Sequence, residues 1–264
     1  PDQPVPLQQG SRARLGEQAV KSKPSRWLAV AVLGAALLQG CATTSAVATD
    51  PRDPWEGMNR KVYAFNDKVD TWVARPVAQA YVDVVPSFMR TGVHNFLGNL
   101  GDVWTFVNAT LQFKGQAAAE SFMRVAVNTT FGLYGLLDVA GEARIPKHKE
   151  DFGQTLGRWG VGAGPYVVLP LLGPSTVRDT AALSMDWQAT PNQYFHDDPS
   201  RYGITALRLT DLRADLLKAD ETVKQAALDP YSFVRDGWLQ KREYDVYDGN
   251  PPSDFDYSDP DAAP

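Results

Sequence analysis

The sequence has only one cysteine, Cys41, in 264 residues. A single thiol cannot form an intramolecular disulfide, and it excludes every metal site that requires several cysteines. An excess of charge is also lacking, because 26 basic and 31 acidic side chains leave a formal net charge of -5 with no long basic run. This balance argues against a dedicated nucleic-acid-binding protein. A composition of 44% hydrophobic and 22% charged residues excludes collagen-like and wholly disordered chains.

The motifs that mark common catalytic sites are also missing. The sequence has no Gly-x-Ser-x-Gly elbow, no His-Glu-x-x-His pair and no Walker A loop. The glycine-rich stretch 157–164 lacks the Rossmann spacing, so we interpret it as closely packed irregular backbone rather than a phosphate-binding loop. The three histidines lie far apart in unlike contexts: His94, His148 and His196. We therefore predict no catalytic residue, no metal site, no cofactor and no enzymatic activity.

Residues 1–40 have the organisation of a bacterial lipoprotein signal peptide. A basic segment precedes an uncharged stretch whose apolar core, residues 28–38, is eleven residues long. A transmembrane helix needs about 20 residues, so this core has the length of a signal-peptide hydrophobic region. The stretch ends in Leu-Gln-Gly-Cys41, which resembles a lipobox. We expect Cys41 to be diacylated and to become the new N-terminus; the alternative is a buried cysteine in a core helix.

Charge and composition divide the chain after the predicted cleavage site. Residues 41–52 are rich in Thr, Ser and Ala and predict a lipidated tether. Residues 53–243 form the predicted body. Residues 244–264 are dominated by Asp and Pro without a basic residue, which predicts a disordered acidic tail.

Apolar residues recur at helical spacing through most of the body, and alternating strand patterns are almost absent, so we predict an all-α fold. Pro76 and Pro86 are expected to interrupt the helices, and Ser87, Ser175 and Asp229 to cap them. The predicted helices cover residues 59–75, 77–85, 88–100, 101–113, 116–130, a short segment that ends at 187, 202–228 and 230–243. The segment 101–113 is apolar nearly all round and is expected to be buried on every side, in protein or in lipid.

Two long uncharged windows need a separate explanation. The first, between Arg124 and Asp138, contains Gly132 and Gly135, which predict a glycine-broken apolar hairpin rather than one straight helix. The second, residues 159–177, is long enough to span a membrane. Its four glycines and three prolines exclude a spanning helix, so we predict irregular or extended backbone sheltered by protein.

Nine segments, in this order along the chain, resemble the MlaA (VacJ) family of outer-membrane lipoproteins. Together they cover the body from about 53 to 243 and are residues 53–66, 75–78, 95–100, 138–141, 152–157, 160–170, 178–179, 229–231 and 234–235. Any one of these segments alone would mean little. The ordered set is specific.

The resemblance implies a ring-like bundle of amphipathic helices in the inner leaflet of the outer membrane, around an amphipathic channel. Phospholipids misplaced in the outer leaflet would pass through it to a soluble periplasmic lipid-binding carrier, and a trimeric porin would be a partner. The chain would be lipid-anchored on the periplasmic side, with no nucleic acid as a partner.

Glycine-flanked apolar loops rearrange at low cost, so the hairpin is the candidate channel gate; the alternative is a buried helix–helix connection. The candidate gate residues are Phe131, Gly132, Leu133, Tyr134, Gly135, Leu136, Leu137, Asp138 and Val139.

Two other functions stay open at this point. A structural or scaffolding envelope lipoprotein without transport activity would use the acidic tail and the long helix 202–228. A lipid hydrolase is disfavoured by the missing nucleophile motif.

Overall fold

The computed structural model describes residues 50–190 and 198–251. The predicted signal peptide, Cys41, most of the tether, His196 and the tail beyond residue 251 lie outside the described residues. Within them the chain forms nine α-helices and one small antiparallel hairpin. In chain order these are α1 (Glu56–Val69), α2 (Arg75–Val84), α3 (Ser87–Leu111), α4 (Gly115–Phe131), α5 (Val139–Glu142), α6 (Phe152–Arg158), β1 (Tyr166–Leu169), β2 (Gly173–Thr176), α7 (Val177–Gln188), α8 (Asp198–Ala226) and α9 (Pro230–Val246).

The predicted all-α class is confirmed, with β1 and β2 as the small exception. No helix within 50–190 and 198–251 combines the length and the hydropathy that crossing a membrane would require.

The expected helix break at Pro76 does not occur. A π-helical turn, Asp70–Ala74, joins α1 to α2, so the chain stays helical from Glu56 to Val84. Pro76 is the second residue of α2, which directly follows this π-helical turn.

Helix α3 differs from the sequence prediction in two ways. It is one continuous helix through Gly101, and Ser87 is its first residue rather than its N-cap. The segment 101–113 was expected to be buried on every side. Its polar residues Asp102, Thr105 and Asn108 are buried, while Val103 is about half exposed. Among the apolar positions, Ala109 is fully buried with Phe106 packed beside it, whereas Phe113 is 92% exposed.

The predicted caps of the later helices are partly correct. The N-cap of α7 is Thr176, whose hydroxyl accepts from the Asp179 N–H at 3.2 Å, and not the preceding Ser175. Asp229 caps α9 as predicted, with Pro230 as the first helical residue. Helix α9 ends at Val246, three residues beyond the predicted end of the body.

The window 159–177 contains extended backbone, as predicted. Strands β1 and β2 pair with Tyr166 opposite Thr176 and Leu169 opposite Gly173. Asn59 of α1 holds β1 in place: its side chain donates to the Tyr166 carbonyl at 3.1 Å and accepts from the Val168 N–H at 2.9 Å. The protein does not cover this segment completely, because Leu171 in the β1–β2 turn is 69% exposed.

The interior of the described residues is mainly polar. Eighteen polar or charged residues are buried there, against ten hydrophobic ones, of which six are alanines. The largest fully buried side chains are Tyr166, Asn59, Asn108, Thr155, Thr176, Asp53 and Ser121. Because ionisable side chains are almost never fully buried unless they are paired, this interior depends on ion pairs and hydrogen bonds.

Candidate functional site

The predicted apolar hairpin exists and joins α4 to α5. Helix α4 ends at Phe131, and the chain turns through Leu133, Tyr134 and Gly135, all three with positive φ. The Gly135 N–H donates to the Asn128 carbonyl at 2.9 Å. The side chains of the hairpin are exposed, from 44% at Leu136 to 77% at Tyr134. The alternative of a buried helix–helix connection is therefore wrong for the side chains of residues 131–137.

Two glycines are required by the close packing of this turn. A Cβ atom on Gly132 would lie 2.3 Å from the Leu137 carbonyl oxygen and 2.5 Å from that of Asn128. A Cβ atom on Gly135, which has φ +93°, would lie 2.7 Å from the Cβ of Asn99. Since the obstacles at Gly132 are backbone atoms, no side-chain rotation could relieve the clash.

Polar side chains of α3 hold the hairpin against the body. Asn95 donates to the Leu136 carbonyl at 3.2 Å, and Asn99 donates to the Thr129 hydroxyl at 3.1 Å. The amide oxygen of Asn99 is buried without a hydrogen-bond partner in the described part of the chain. Of these two bonds, the one from Asn95 reaches the hairpin itself, whereas the one from Asn99 reaches the last turn of α4.

A buried ionic cluster, which we call the Arg124 cluster, lies at the base of the hairpin. The Arg124 guanidinium donates to Asp102 of α3 at 3.2 Å, to the Ile145 carbonyl at 2.8 Å and to Asp138 at 2.8 Å. Asn128 also donates to Asp138, at 3.0 Å. Asp138 in turn caps α5 by accepting from the Gly141 N–H. The cluster therefore fixes both ends of the hairpin to α3 and α4.

The two carboxylates of the Arg124 cluster have opposite pKa shifts. Burial raises the pKa of Asp102, and the nearby Lys147 and Arg124 do not fully offset it. Burial also acts to raise the pKa of Asp138, but hydrogen bonds from Asn128 and Arg124 hold it below its ordinary value. The ionised form of Asp102 therefore depends more strongly on its cationic partners than the ionised form of Asp138 does.

A second set of buried polar contacts joins α3 to α6. The Thr155 hydroxyl donates to the Asn108 side chain at 2.8 Å, and Gln112 donates to Thr155 at 3.1 Å and to Glu150 at 2.9 Å. Lys114 completes the set by donating to Glu150 at 2.9 Å. The polar interior thus continues from the Arg124 cluster along the C-terminal half of α3.

A third set joins α6, α7 and α9 through Arg242. Its guanidinium donates to both oxygens of Asp151, at 2.6 and 2.7 Å, and to both oxygens of Asp179, at 2.8 and 3.0 Å. Burial would raise the pKa of each carboxyl, but the bidentate pairing with Arg242 holds both pKa values below the ordinary range. Three helices that are distant in sequence are therefore tied by one arginine.

A fourth set anchors the start of the body to β1 and α9. The fully buried Asp53 carboxylate accepts from Asn59 at 2.8 Å, from the Tyr231 hydroxyl and from Arg235 at 3.4 Å. Arg60 lies with its guanidinium carbon 4.4 Å from the centre of the Tyr231 ring and pairs with Asp229. Asp53 is thus a junction of α1, β1 and α9.

The exterior carries the large apolar side chains that the interior lacks. They occur on α1 to α4, on the hairpin, on the β1–β2 turn and on α8. Among the most exposed are Trp72, Val84, Phe88, Phe113, Phe131, Leu133, Tyr134, Leu171 and Tyr202. In the described part of the chain, more large apolar side chains are exposed than are buried.

The structure also brings together groups that the sequence did not single out as a site. His94 of α3 meets Asp211 and Asp215 of α8, with its Nδ1 atom 3.1 Å and 3.2 Å from one carboxylate oxygen of each. His94 and Asp211 are 117 positions apart, and only tertiary structure could reveal the contact.

The described residues thus form a mainly helical body that buries ion pairs and exposes aromatic and aliphatic side chains. We call this arrangement inverted polarity. Residues 51–245 match the family described as MlaA lipoprotein. The chain belongs to this family.

Named relatives agree with this assignment. The intermembrane phospholipid transport system lipoproteins MlaA of Shigella flexneri and Escherichia coli K12 are each 39% identical over 82% of this chain and 87% of their own length. An uncharacterized protein of Rickettsia bellii is 35% identical over 74% of this chain and 76% of its own. A chain solved in work on the structural basis for maintenance of bacterial outer membrane lipid asymmetry superposes with a TM-score of 0.65 at 36% identity, covering 74% of this chain and 98% of that one.

Proposed function

We propose that this protein moves misplaced phospholipids out of the outer leaflet of the outer membrane. The lipids pass through an amphipathic channel between its helices, in a ring-like arrangement within the periplasmic leaflet, and reach a soluble periplasmic lipid-binding carrier. A trimeric porin is its partner in the membrane. The names of its Shigella flexneri and Escherichia coli relatives, and the subject of the related solved structure, support this assignment.

The inverted polarity of the body is the observation that carries the proposal. In water, each exposed apolar Å² costs roughly 25 cal/mol relative to burial, so the exterior of α1 to α4 would be strongly unfavourable. Against acyl chains that cost disappears. The apolar side chains then match the bilayer core, while the ionic interior is shielded from lipid.

The polar interior also supports a route for headgroups. A charged phospholipid headgroup that crosses apolar material loses its hydration, at a cost of several kcal/mol or more. Asn, Thr and Gln side chains of α3, α4 and α6 bond to one another in this structure, and exchanging these bonds for bonds to the headgroup would lower this cost. No bond in the lipid needs to break, so the transported molecule leaves intact.

The hairpin 131–137 serves as the gate in this proposal. Its exposed side chains contact acyl chains, and its base rests on the Arg124 cluster. Asn95 holds it to α3 through a hydrogen bond to the Leu136 carbonyl, and breaking this bond would let the hairpin move while the helices keep their places. Asp138 and Val139 are the fixed end of this gate, since they begin α5.

The anchor is the diacylated Cys41 with the tether that follows it. Two acyl chains give stable membrane attachment, whereas one chain is only marginal. In this arrangement the anchor and the apolar exterior both hold the body to the same leaflet. A scaffolding lipoprotein, by contrast, would need only the Cys41 anchor to stay attached to the membrane.

Membrane association of the unlipidated body tests this difference. Residues 1–41 are replaced by a signal peptide that is cleaved without lipidation, because Cys41→Ser alone would leave the hydrophobic region attached. We expect more than half of the folded protein to stay in the membrane fraction after a carbonate wash. A soluble-domain lipoprotein treated in the same way is the control and should be released. Full release of the body as well would overturn the leaflet assignment and favour the scaffold.

A further inference from the structure

His94, Asp211 and Asp215 form a cluster of metal-ligating groups outside the hairpin and the Arg124 cluster. His94 comes from α3, and the two aspartates come from successive turns of α8. One potential ligand atom from each residue lies within 4.8 Å of the other two. Residues four apart on a helix share one face, so α8 presents both carboxylates to the imidazole.

Two of the three distances within the cluster are close to the edges of a zinc coordination tetrahedron. Zinc bonds to His nitrogen at about 2.0–2.1 Å and to carboxylate oxygen at about 2.0–2.2 Å, so the edge of the tetrahedron is about 3.3–3.5 Å. The Nδ1 atom of His94 is 3.1 Å from Asp211 and 3.2 Å from Asp215. Small side-chain movements would therefore seat an ion with three protein ligands and one open position.

The surroundings of the cluster suit a bound ion. A cavity of about 240 Å³ opens beside the three groups and is lined further by Tyr81 and Arg90. Asp211 is buried, whereas His94 and Asp215 are half-exposed, so an ion can enter from the open side. The Tyr81 hydroxyl donates to the Asp211 oxygen that does not face His94, at 3.4 Å, which orients the carboxylate as an outer-shell partner would.

Charge separates a metal site from a simple ion pair. With a neutral imidazole the cluster carries two negative charges, and one of them sits on the buried carboxylate of Asp211. Arg90, which lines the same cavity, donates its Nε–H to the neutral Val85 carbonyl at 3.0 Å, so its positive charge still offsets part of this negative charge. A divalent cation would bind both carboxylates directly.

We propose that His94, Asp211 and Asp215 bind one zinc ion that clamps α8 to α3. Helix α8 is already attached to the turn between α1 and α2, because Arg213 donates to both oxygens of Asp70. The metal adds a second attachment, through residues two positions before and two positions after Arg213. It is a structural ion that fixes the long helix against the body, and it takes no part in chemistry on the lipid.

Zinc binding by the purified full-length protein tests this proposal. The protein, produced without a polyhistidine tag, is stripped with EDTA and dialysed against zinc chloride. We expect one zinc per chain with micromolar or tighter affinity, a thermal unfolding midpoint raised by several degrees, and no such shift with magnesium. His94→Gln should abolish stoichiometric binding, and Asp215→Asn should weaken it at least tenfold.

His148→Gln is the matched control, because His148 also contacts a carboxylate, that of Glu120, at a distance from this cluster. It should bind zinc like the unmodified protein. If His94→Gln unfolds, the half-exposed Asp215→Asn decides the result, with circular dichroism as the check on folding. Absence of stoichiometric zinc, or equal zinc affinity in the His94→Gln or Asp215→Asn variant, would leave only a histidine–carboxylate ion pair and overturn the proposal.

Discussion

Replacement of Arg124 by methionine is expected to lower the free energy of unfolding by about 3–5 kcal/mol, because it removes the guanidinium that bonds to Asp102 and Asp138 and leaves the buried Asp102 with Lys147 alone, at 3.8 Å. Asp102 is almost completely buried, and burial already raises its pKa. Asp138 would lose its 2.8 Å hydrogen bond from the guanidinium. A loss of this size is a large fraction of the stability of most domains. The Arg124 cluster, from which it arises, lies at the base of the hairpin. Denaturant unfolding in detergent, followed by circular dichroism, measures the effect.

Two further variants establish the cause. Arg158→Met removes an exposed arginine of α6 and should change stability by less than about 0.5 kcal/mol. The double variant Arg124→Met with Asp102→Asn removes one unpaired charge and should recover at least half of the lost stability. If the single and double variants were equally unstable, the loss would come from packing and not from an uncompensated buried charge.

Replacement of Gly132 by valine is expected to reduce lipid transport at least tenfold while the helices stay folded. The added side chain would meet two backbone carbonyls at 2.3 and 2.5 Å, so the hairpin must open or shift. The cost to folding should be limited to about 1–3 kcal/mol, because the hairpin side chains are mostly exposed and contribute little burial. In a strain that lacks its own copy, transport is read from the labelling of outer-leaflet aminophospholipid by an impermeant reagent.

Gly101→Ala is the matched control for this variant. Gly101 lies within α3, and a Cβ there meets nothing within 4 Å. Alanine should stabilise the helix slightly and leave transport unchanged. Normal lipid asymmetry in cells that carry Gly132→Val, at equal protein level, would contradict the role of the hairpin as a gate.

The sequence predicted most of the longer helices because apolar periodicity, proline and capping residues are local signals, but it missed the short helices α5 and α6 and divided α3 in two. The hairpin after Phe131 and the cap at Asp229 were recognisable from a few neighbouring residues. Errors arose where two local rules competed. At the start of α7, Ser175 and Thr176 are both possible caps, and the one in the correct backbone geometry, Thr176, makes the bond.

The polarity of the interior could not be read from periodicity. A helical period shows that one face of a helix is apolar, but it does not show whether that face points to protein or to lipid. In α3 the same pattern that suggested a buried apolar helix places Asp102 and Asn108 inside and Val103 outside. Residues whose partners lie far along the chain, such as Arg242 with Asp151 and Asp179, carried no local signal at all.

In the proposed function an intact phospholipid passes beside the hairpin, and photo-crosslinking in living cells detects that passage directly. A photoreactive amino acid is placed at Leu133 on the hairpin or, as the control, at the exposed Lys241 of α9. We expect adducts with the mass of complete diacyl phospholipids at residue 133, in at least tenfold higher yield than at residue 241. Equal yields at the two positions, or adducts that carry only hydrolysed lipid, would contradict it.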